Sequence, residues 1–279
     1  MNNYSLSTHL FVYYKLNKKI ITNIAKAGFN NIEIWGTRQH LPYCDIQQIK
    51  DIIKIIQDNN LSVTSFHSPF YTKLKNKKPA DIFSISSPEQ SDRELAINEM
   101  LYFMETIQLL FDFKKKTPIV LHCGFNKNEN IEKQRDKLKI SLIKLLKNID
   151  RNKVILALEN GTSGYDSPLD VKTIIKDIND QNLKMCLDIG HANITTNLIE
   201  IIPEVLDYTA NFHIHDNNGE KDQHLLPKKG NINFKLFFSL INNRNNLLTL
   251  ELMDYNKGEN FKDLLKITNK AFKLTKEYE

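Results

Sequence analysis

The stretch LKMCLDIGH, residues 183–191, is a short apolar run that closes on a carboxylate, Asp188, with an imidazole three residues later at His191. Outward from it the same ending recurs. LSVTSFH closes on His67, TPIVLH on His122 and VILALE on Glu159, while NFHIHD carries His213, His215 and Asp216 and LLTLE closes on Glu251. Consecutive strands that each end in a metal-ligand residue describe a barrel with a metal site on one rim.

The segments between these runs have helical spacing. Lys18 to Ala27 ends at Gly28, which suits a left-handed cap, and DIQQIKDIIKIIQDNN follows a candidate N-cap at Asp45. The couplet continues with helices around Glu89 to Phe113, Ile131 to Ile149, Leu169 to Ile178, Leu198 to Tyr208 and Phe234 to Ile241, and a closing helix from Phe261 to about Thr275. With an opening strand near Tyr4 to His9 and NNIEIW as the second, this makes eight strands, each followed by a helix or helix-like connection. The expectation is an α/β chain forming one (β/α)8 TIM barrel over residues 1–279, with a parallel eight-stranded inner sheet. A doubly wound open sheet is the competitor, and no glycine-rich phosphate loop follows the first strand to support it.

Composition sets bounds on this picture. A chain of 279 residues with 41% hydrophobic and 25% charged residues can bury a large core, and no Pro/Gly/Ser-rich linker divides it. No apolar stretch approaches the roughly 20 residues of a membrane span, and the N-terminus lacks a basic region ahead of a long apolar segment. A cytoplasmic protein is expected, with no membrane partner. Cys44, Cys123 and Cys186 form no CxxC pair, so neither a disulfide framework nor a zinc ribbon is suggested. The net charge of +5 comes from dispersed lysines with little arginine, which makes it weak evidence for nucleic acid as a partner.

Glu159, Asp188, His213 and Glu251 end four successive strands, the fifth to the eighth. Three carboxylates and an imidazole can hold a divalent cation such as Mn2+, Mg2+, Co2+ or Zn2+. Without a cation the carboxylates resist joint ionisation. Further donors surround this core: His191 in D-x-x-H, Asp222 and His224 in D-x-H, and His67 and His122, enough for one to three ions in all. His67 and His122 can equally contact substrate hydroxyls or cap their strands. His215 alternates with His213 and can bind substrate or support the ligands. Glu33, Trp35, Arg38 and His40 follow the second strand; Trp35 either stacks on a sugar ring or fills a gap between barrel and helices. Lys228 and Lys229 either meet a phosphate or stay solvated. Tyr71 to Ser87, with Lys73, Lys75, Lys77 and Lys78, is either a lid or a surface excursion.

FHSPF, LHCGF, LENGTSG, CLDIGHAN, FHIHDNNGEKDQHLLPKKGNINF and LELMD together resemble the xylose-isomerase-like barrel superfamily, over about Asn31 to Asp254. That superfamily holds sugar phosphate isomerases and epimerases, inosose dehydratases and type IV endonucleases. Resemblance to epimerases of the tagatose type implies one metal at Glu159, Asp188, His213 and Glu251. It further implies that Glu159 and Glu251 act as base and acid across a metal-stabilised enediolate, that His191 holds a substrate oxygen, and that the partner is a small carbohydrate. Those epimerases carry an Arg after the seventh-strand histidine, and HIHDNNGEK has none. Resemblance to type IV endonucleases, which cut abasic DNA, implies three zinc ions on His67, His122, Glu159, Asp188, His191, His213, Asp222, His224 and Glu251. Here the departure lies in the opening segment and in LLPKKGNI. An inosose dehydratase-like lyase is the remaining alternative, and a homodimer is common among proteins that resemble this family.

Overall fold

Each strand ends where its apolar run ends. In a computed structural model, which describes residues 3–126, 128–241 and 246–277, the strands are β1 (Asn3–Ser7), β2 (Asn31–Trp35), β3 (Ser62–His67), β4 (Tyr71–Lys75), β5 (Lys78–Ile82), β6 (Thr117–His122), β7 (Val154–Glu159), β8 (Leu183–Asp188), β9 (Thr209–Ile214) and β10 (Leu247–Leu250). All but β4 and β5 pair in parallel and close into a barrel in the order β1-β10-β9-β8-β7-β6-β3-β2. Helices α1 (Lys18–Ala27), α2 (Ile46–Asp58), α3 (Gln90–Leu110), α4 (Ile131–Leu146), α5 (Pro168–Ile178), α6 (Ile189–Thr195), α7 (Leu198–Val205), α8 (Phe234–Ile241) and α9 (Phe261–Lys276) connect them. The expected (β/α)8 barrel is the fold. Among the described residues no helix is long and apolar enough to cross a membrane.

Short polar residues start the helices. The side chains of Asn17, Asp45, Asn130, Ser167 and Asn260 each accept the backbone N–H three residues on, satisfying a donor that the first turn leaves open. At the other end of α1, Gly28 adopts φ +110°, and a Cβ there would lie 2.4 Å from the Phe272 ring of α9. Glycine is therefore required twice over, by backbone conformation and by close packing.

Alternation along the strands divides the apolar residues into two sets. Ile119, Leu121, Leu156, Leu158, Met185 and Leu187 join the large core shared with the helices, whereas Val120, Ala157 and Cys186 form a small separate cluster. These three share a face with His122, Glu159 and Asp188, two residues further along each strand. Buried Ser65, Asn211 and Thr249 likewise lie two residues before His67, His213 and Glu251. The lumen side of the barrel is thus small and polar, and the main core sits between sheet and helices.

Two segments differ from the sequence expectation. The first strand stops at Ser7, and Thr8–Phe11 turns into a short 3-10 helix that carries His9 over the rim. Residues 71–82, read as loop, pair as an antiparallel hairpin whose two-residue turn, Asn76 and Lys77, has φ of 50° and 58°. Both turn residues at positive φ match a hairpin with the twist of its strands; lysine is a poor marker for such a position, so the pattern gave little warning.

Replacing Gly28 by alanine is expected to lower the unfolding midpoint, with a loss of about 1–3 kcal/mol from strain and displaced packing. Denaturant titration followed by circular dichroism measures it, and an unchanged midpoint would show that α9 yields freely.

Candidate metal centre

Register brings the strand-end residues to one height. His122 pairs with Glu159 across β6 and β7, and Asp188 pairs with His213 across β8 and β9. Asp188 also caps α6, accepting the N–H of His191 at 2.7 Å, so the D-x-x-H spacing is a capping turn that carries the imidazole back over the rim. Asn160 locks this corner. Its side chain accepts the N–H of Asp188 at 2.8 Å and donates to the Asp188 carbonyl at 3.0 Å, extending the β7–β8 ladder past the last strand residue. After β9 the chain folds back through an Asp216–Leu225 bridge, and Asp216 accepts the N–H groups of Gly230 and Ile232. A Cβ at Gly230 would lie 2.0 Å from the Asn217 carbonyl oxygen, so only glycine permits the close return that sets Asp222 and His224 over the rim.

Three sets of ligand atoms result, each with its atoms within 4.8 Å of one another. They are Glu159, Asp188, His213 and Glu251; His67, His122 and Glu159; and His191, His215, Asp222 and His224. Glu159 belongs to two of them. Its Oε1 lies 3.0 Å from His213 Nδ1, while its Oε2 lies 3.2 Å from His67 Nε2 and 3.1 Å from His122 Nε2. His213 Nδ1 is also 3.1 Å from Glu251 Oε2. In the third set, Asp222 Oδ2 lies 3.2 Å from His191 Nε2 and 3.1 Å from His224 Nε2.

The donor chemistry fits a divalent cation. In four of these histidines one ring nitrogen is held outside the cluster and the other points in. Nδ1 of His67, His191 and His224 lies 2.8–2.9 Å from the carbonyls of Ser68, Asn160 and Glu251, close enough to donate to them. His213 is reversed: Nε2 is held by Glu33 at 3.1 Å, and Glu33 in turn accepts the Ser65 hydroxyl at 2.8 Å. Fixing one nitrogen in this way sets tautomer and orientation for ligation by the other. Glu251 Oε1 is buried without a hydrogen-bond partner, an acceptor that a cation would satisfy.

Electrostatics carry the same message. Burial would push the buried imidazoles down, but Asp188, Asp222 and Glu159 hold His191 well above its usual value, and Cys186 with the carboxylates of Glu251, Glu33 and Glu159 does so for His213. His224, beside Asp222 and Glu251, is raised to about 9. Burial would raise the acids, yet His213 and His122 hold Glu159 well below the carboxylate range, His213 lowers Glu251, and His191 and His224 lower Asp222. Ion-free, the imidazoles themselves act as the cations.

The remaining candidates lie at varied distances from this centre. His215 is fully buried, its Nε2 3.0 Å from Asp188 and its ring stacked on His224 at 3.9 Å. Trp35 is only 4% exposed and stacks on His67 at 3.7 Å. Arg38 pairs with Glu99, and His40 is buried against the Tyr14 carbonyl, where burial lowers it to about 4. Lys228 pairs with Glu277, outside the cavity beside the metal centre. Sequence reading passed over Asn160, visible only as the N of LEN. It also passed over His9, whose ring lies 4.3 Å from Trp35 and 5.4 Å from His224 and which burial lowers to about 3.

Known proteins share this framework. A family model described as a xylose isomerase-like TIM barrel matches residues 21–276. An uncharacterised protein of Methanocaldococcus jannaschii is 29% identical over 209 residues, covering 72% of this chain and 78% of its own length. The crystal structure of a D-tagatose 3-epimerase-like protein superposes with a TM-score of 0.77 at 22% identity, over 99% of this chain and 96% of that one. A Thermus thermophilus protein soaked with zinc chloride superposes with a TM-score of 0.63 at 16% identity, over 95% of this chain and 97% of that one. At these identities the two structures share the fold.

A cation bound at these clusters would compete with protons for the same nitrogens. The raised histidines stabilise the metal-free chain below their ordinary value of 6.5, and that contribution is lost as pH climbs through about 9. The lowered acids contribute above their ordinary value of 4.5, and theirs is lost as pH falls below it. In chelator the thermal midpoint is therefore expected to peak between these values and fall toward pH 9. Zinc affinity is expected to rise over that same climb with release of protons, measured by calorimetry in buffers of different ionisation enthalpy. A metal-free midpoint that rises from pH 6.5 to 9 would contradict this.

Proposed function

We propose, since the chain belongs to the xylose isomerase-like TIM barrel family, that it is a metal-dependent isomerase or epimerase of a sugar, a polyol or their phosphates. The observation that carries this reading is the convergence of Glu159, Asp188, His213 and Glu251 from four successive strands. The shared fold of the D-tagatose 3-epimerase-like protein supports it. A divalent cation held by the four supplies a Lewis acid for a carbonyl and its neighbouring hydroxyl.

The chain's own groups account for proton movement. Glu159 and Glu251 are ionised at neutral pH, held so by His213, and either carboxylate can take a proton from the carbon beside a carbonyl. Delivery of a proton to the opposite face, or to the neighbouring carbon, completes epimerisation or isomerisation. Glu33 keeps His213 oriented so that both glutamates face the same point. His191, half a turn into α6 and lining the cavity, is placed to hold a substrate oxygen.

A second reading has its own observation. The two outer sets, His67, His122 and Glu159, and His191, His215, Asp222 and His224, are assembled around the quartet. Three ions there favour zinc-dependent cleavage of abasic DNA. Elemental analysis of the reconstituted protein separates the two: one ion per chain favours the isomerase, three favour the nuclease, and none defeats both.

The isomerase reading predicts that solvent deuterium enters a ketose at the carbon beside its carbonyl. Glu251→Gln should slow that exchange by about 10²–10⁴-fold, followed by mass spectrometry. Chelator-sensitive cutting of an abasic duplex, with no exchange into any ketose, would sink it in favour of the second reading.

A further inference from the structure

Beside the metal centre a cavity of about 770 Å3 opens among the segment after β5 and the loops that follow β6 and β7. It includes His122, Glu159, His191 and Asp222 and continues past side chains that the metal chemistry does not use. Ligand pockets run from roughly 300 to 1,000 Å3, so this one has more room than a single sugar ring fills.

Its walls have a definite chemistry. Phe83 and Phe125, both half-buried, offer apolar faces, and Asn126, Asn128, Thr162 and Ser163 offer amides and hydroxyls. The charged residues lining it outside the metal centre are acids, Asp92, Glu129 and Asp166; among the described residues no Lys or Arg lines it. Helix N-termini could in principle receive an anion, but the first turns of α3, α4 and α5 carry Asp92, Glu132 and Asp170. Two hairpin lysines are paired elsewhere, Lys73 with Asp81 at 3.0 Å and Lys77 with Glu259 at 2.5 Å. Aromatic faces interleaved with amides and hydroxyls suit a ring with an apolar face and a hydroxylated edge.

We propose that the cavity takes an uncharged carbohydrate longer than one ring, with the reacting ring at the metal centre and a second ring against Phe83 and Phe125. Among the described residues, a phosphate group placed beyond the metal centre meets acids rather than cations. The assignment rests on the isomerase reading of the same site and narrows its substrate class.

Calorimetric titration of the metal-reconstituted full chain with fructose, fructose 6-phosphate and lactulose, a galactosyl-fructose, tests it. Lactulose is expected to bind about fivefold tighter than fructose, and fructose 6-phosphate about tenfold weaker. Phe125→Ala should abolish the lactulose preference while fructose affinity, the check on folding, is kept. Glu129→Lys, at an exposed position, should narrow the phosphate penalty. Fructose 6-phosphate binding tighter than fructose, lactulose binding no tighter than fructose, or a preference that survives Phe125→Ala each overturns the proposal. Lactulose binding without deuterium exchange removes the isomerase reading and leaves the cavity assignment standing; an abasic duplex that outcompetes every sugar overturns both.

Discussion

One buried carboxylate has to serve neighbours on two sides, and the rim is built around that constraint. Glu159 turns Oε1 toward His213 and Oε2 toward His67 and His122. Glu33, Asp188 and Glu251 are buried close by, each within 4 Å of His213. So many carboxylates out of water, without positive charge among them, would be untenable. Protonated imidazoles supply that charge in the metal-free chain, and a divalent cation can supply it instead. With a cation bound the same histidines would be neutral ligands instead of cations, so metal binding would be an exchange of protons for the ion.

That exchange requires rings that do not swing. Backbone carbonyls hold the outer nitrogens of His67, His191 and His224, while a buried acid holds that of His213. The barrel makes these tethers cheap to maintain. Parallel strands end together, the carbonyls just past their ends, at Ser68, Asn160 and Glu251, face the rings, and short turns such as the Asp188 cap bring a second ligand back over the first. A polar, small-residue lumen beneath the site leaves room for Glu33, held by the Ser65 hydroxyl, to reach His213 from below, where many barrels of this kind are filled with branched aliphatic side chains.

The alternation of apolar runs with helical spacing was legible because each period reports a local geometry. Strand-end histidines and acids stood out for the same reason: a polar residue closing an apolar run is conspicuous in one dimension. The hairpin at 71–82 was not visible, since its turn places Asn76 and Lys77 at positive φ and its lysines read as solvated loop. Asn160 and His9 were also hidden. An asparagine after a strand is commonplace, and its value here comes from pairing with both backbone groups of Asp188 on the next strand.

Residue type and spacing therefore carried the barrel, a rim of candidate metal ligands and the family of chemistries open to it, because periodicity and strand ends are properties of short segments. Which nitrogen of each imidazole faces inward, how Glu159 divides its oxygens, and why the cavity beyond is lined by amides, acids and three phenylalanines are matters of contact between residues distant in sequence. Such contacts depend on register and loop return. No local pattern encodes them, and they arise when the closed sheet brings the strand ends to a common height.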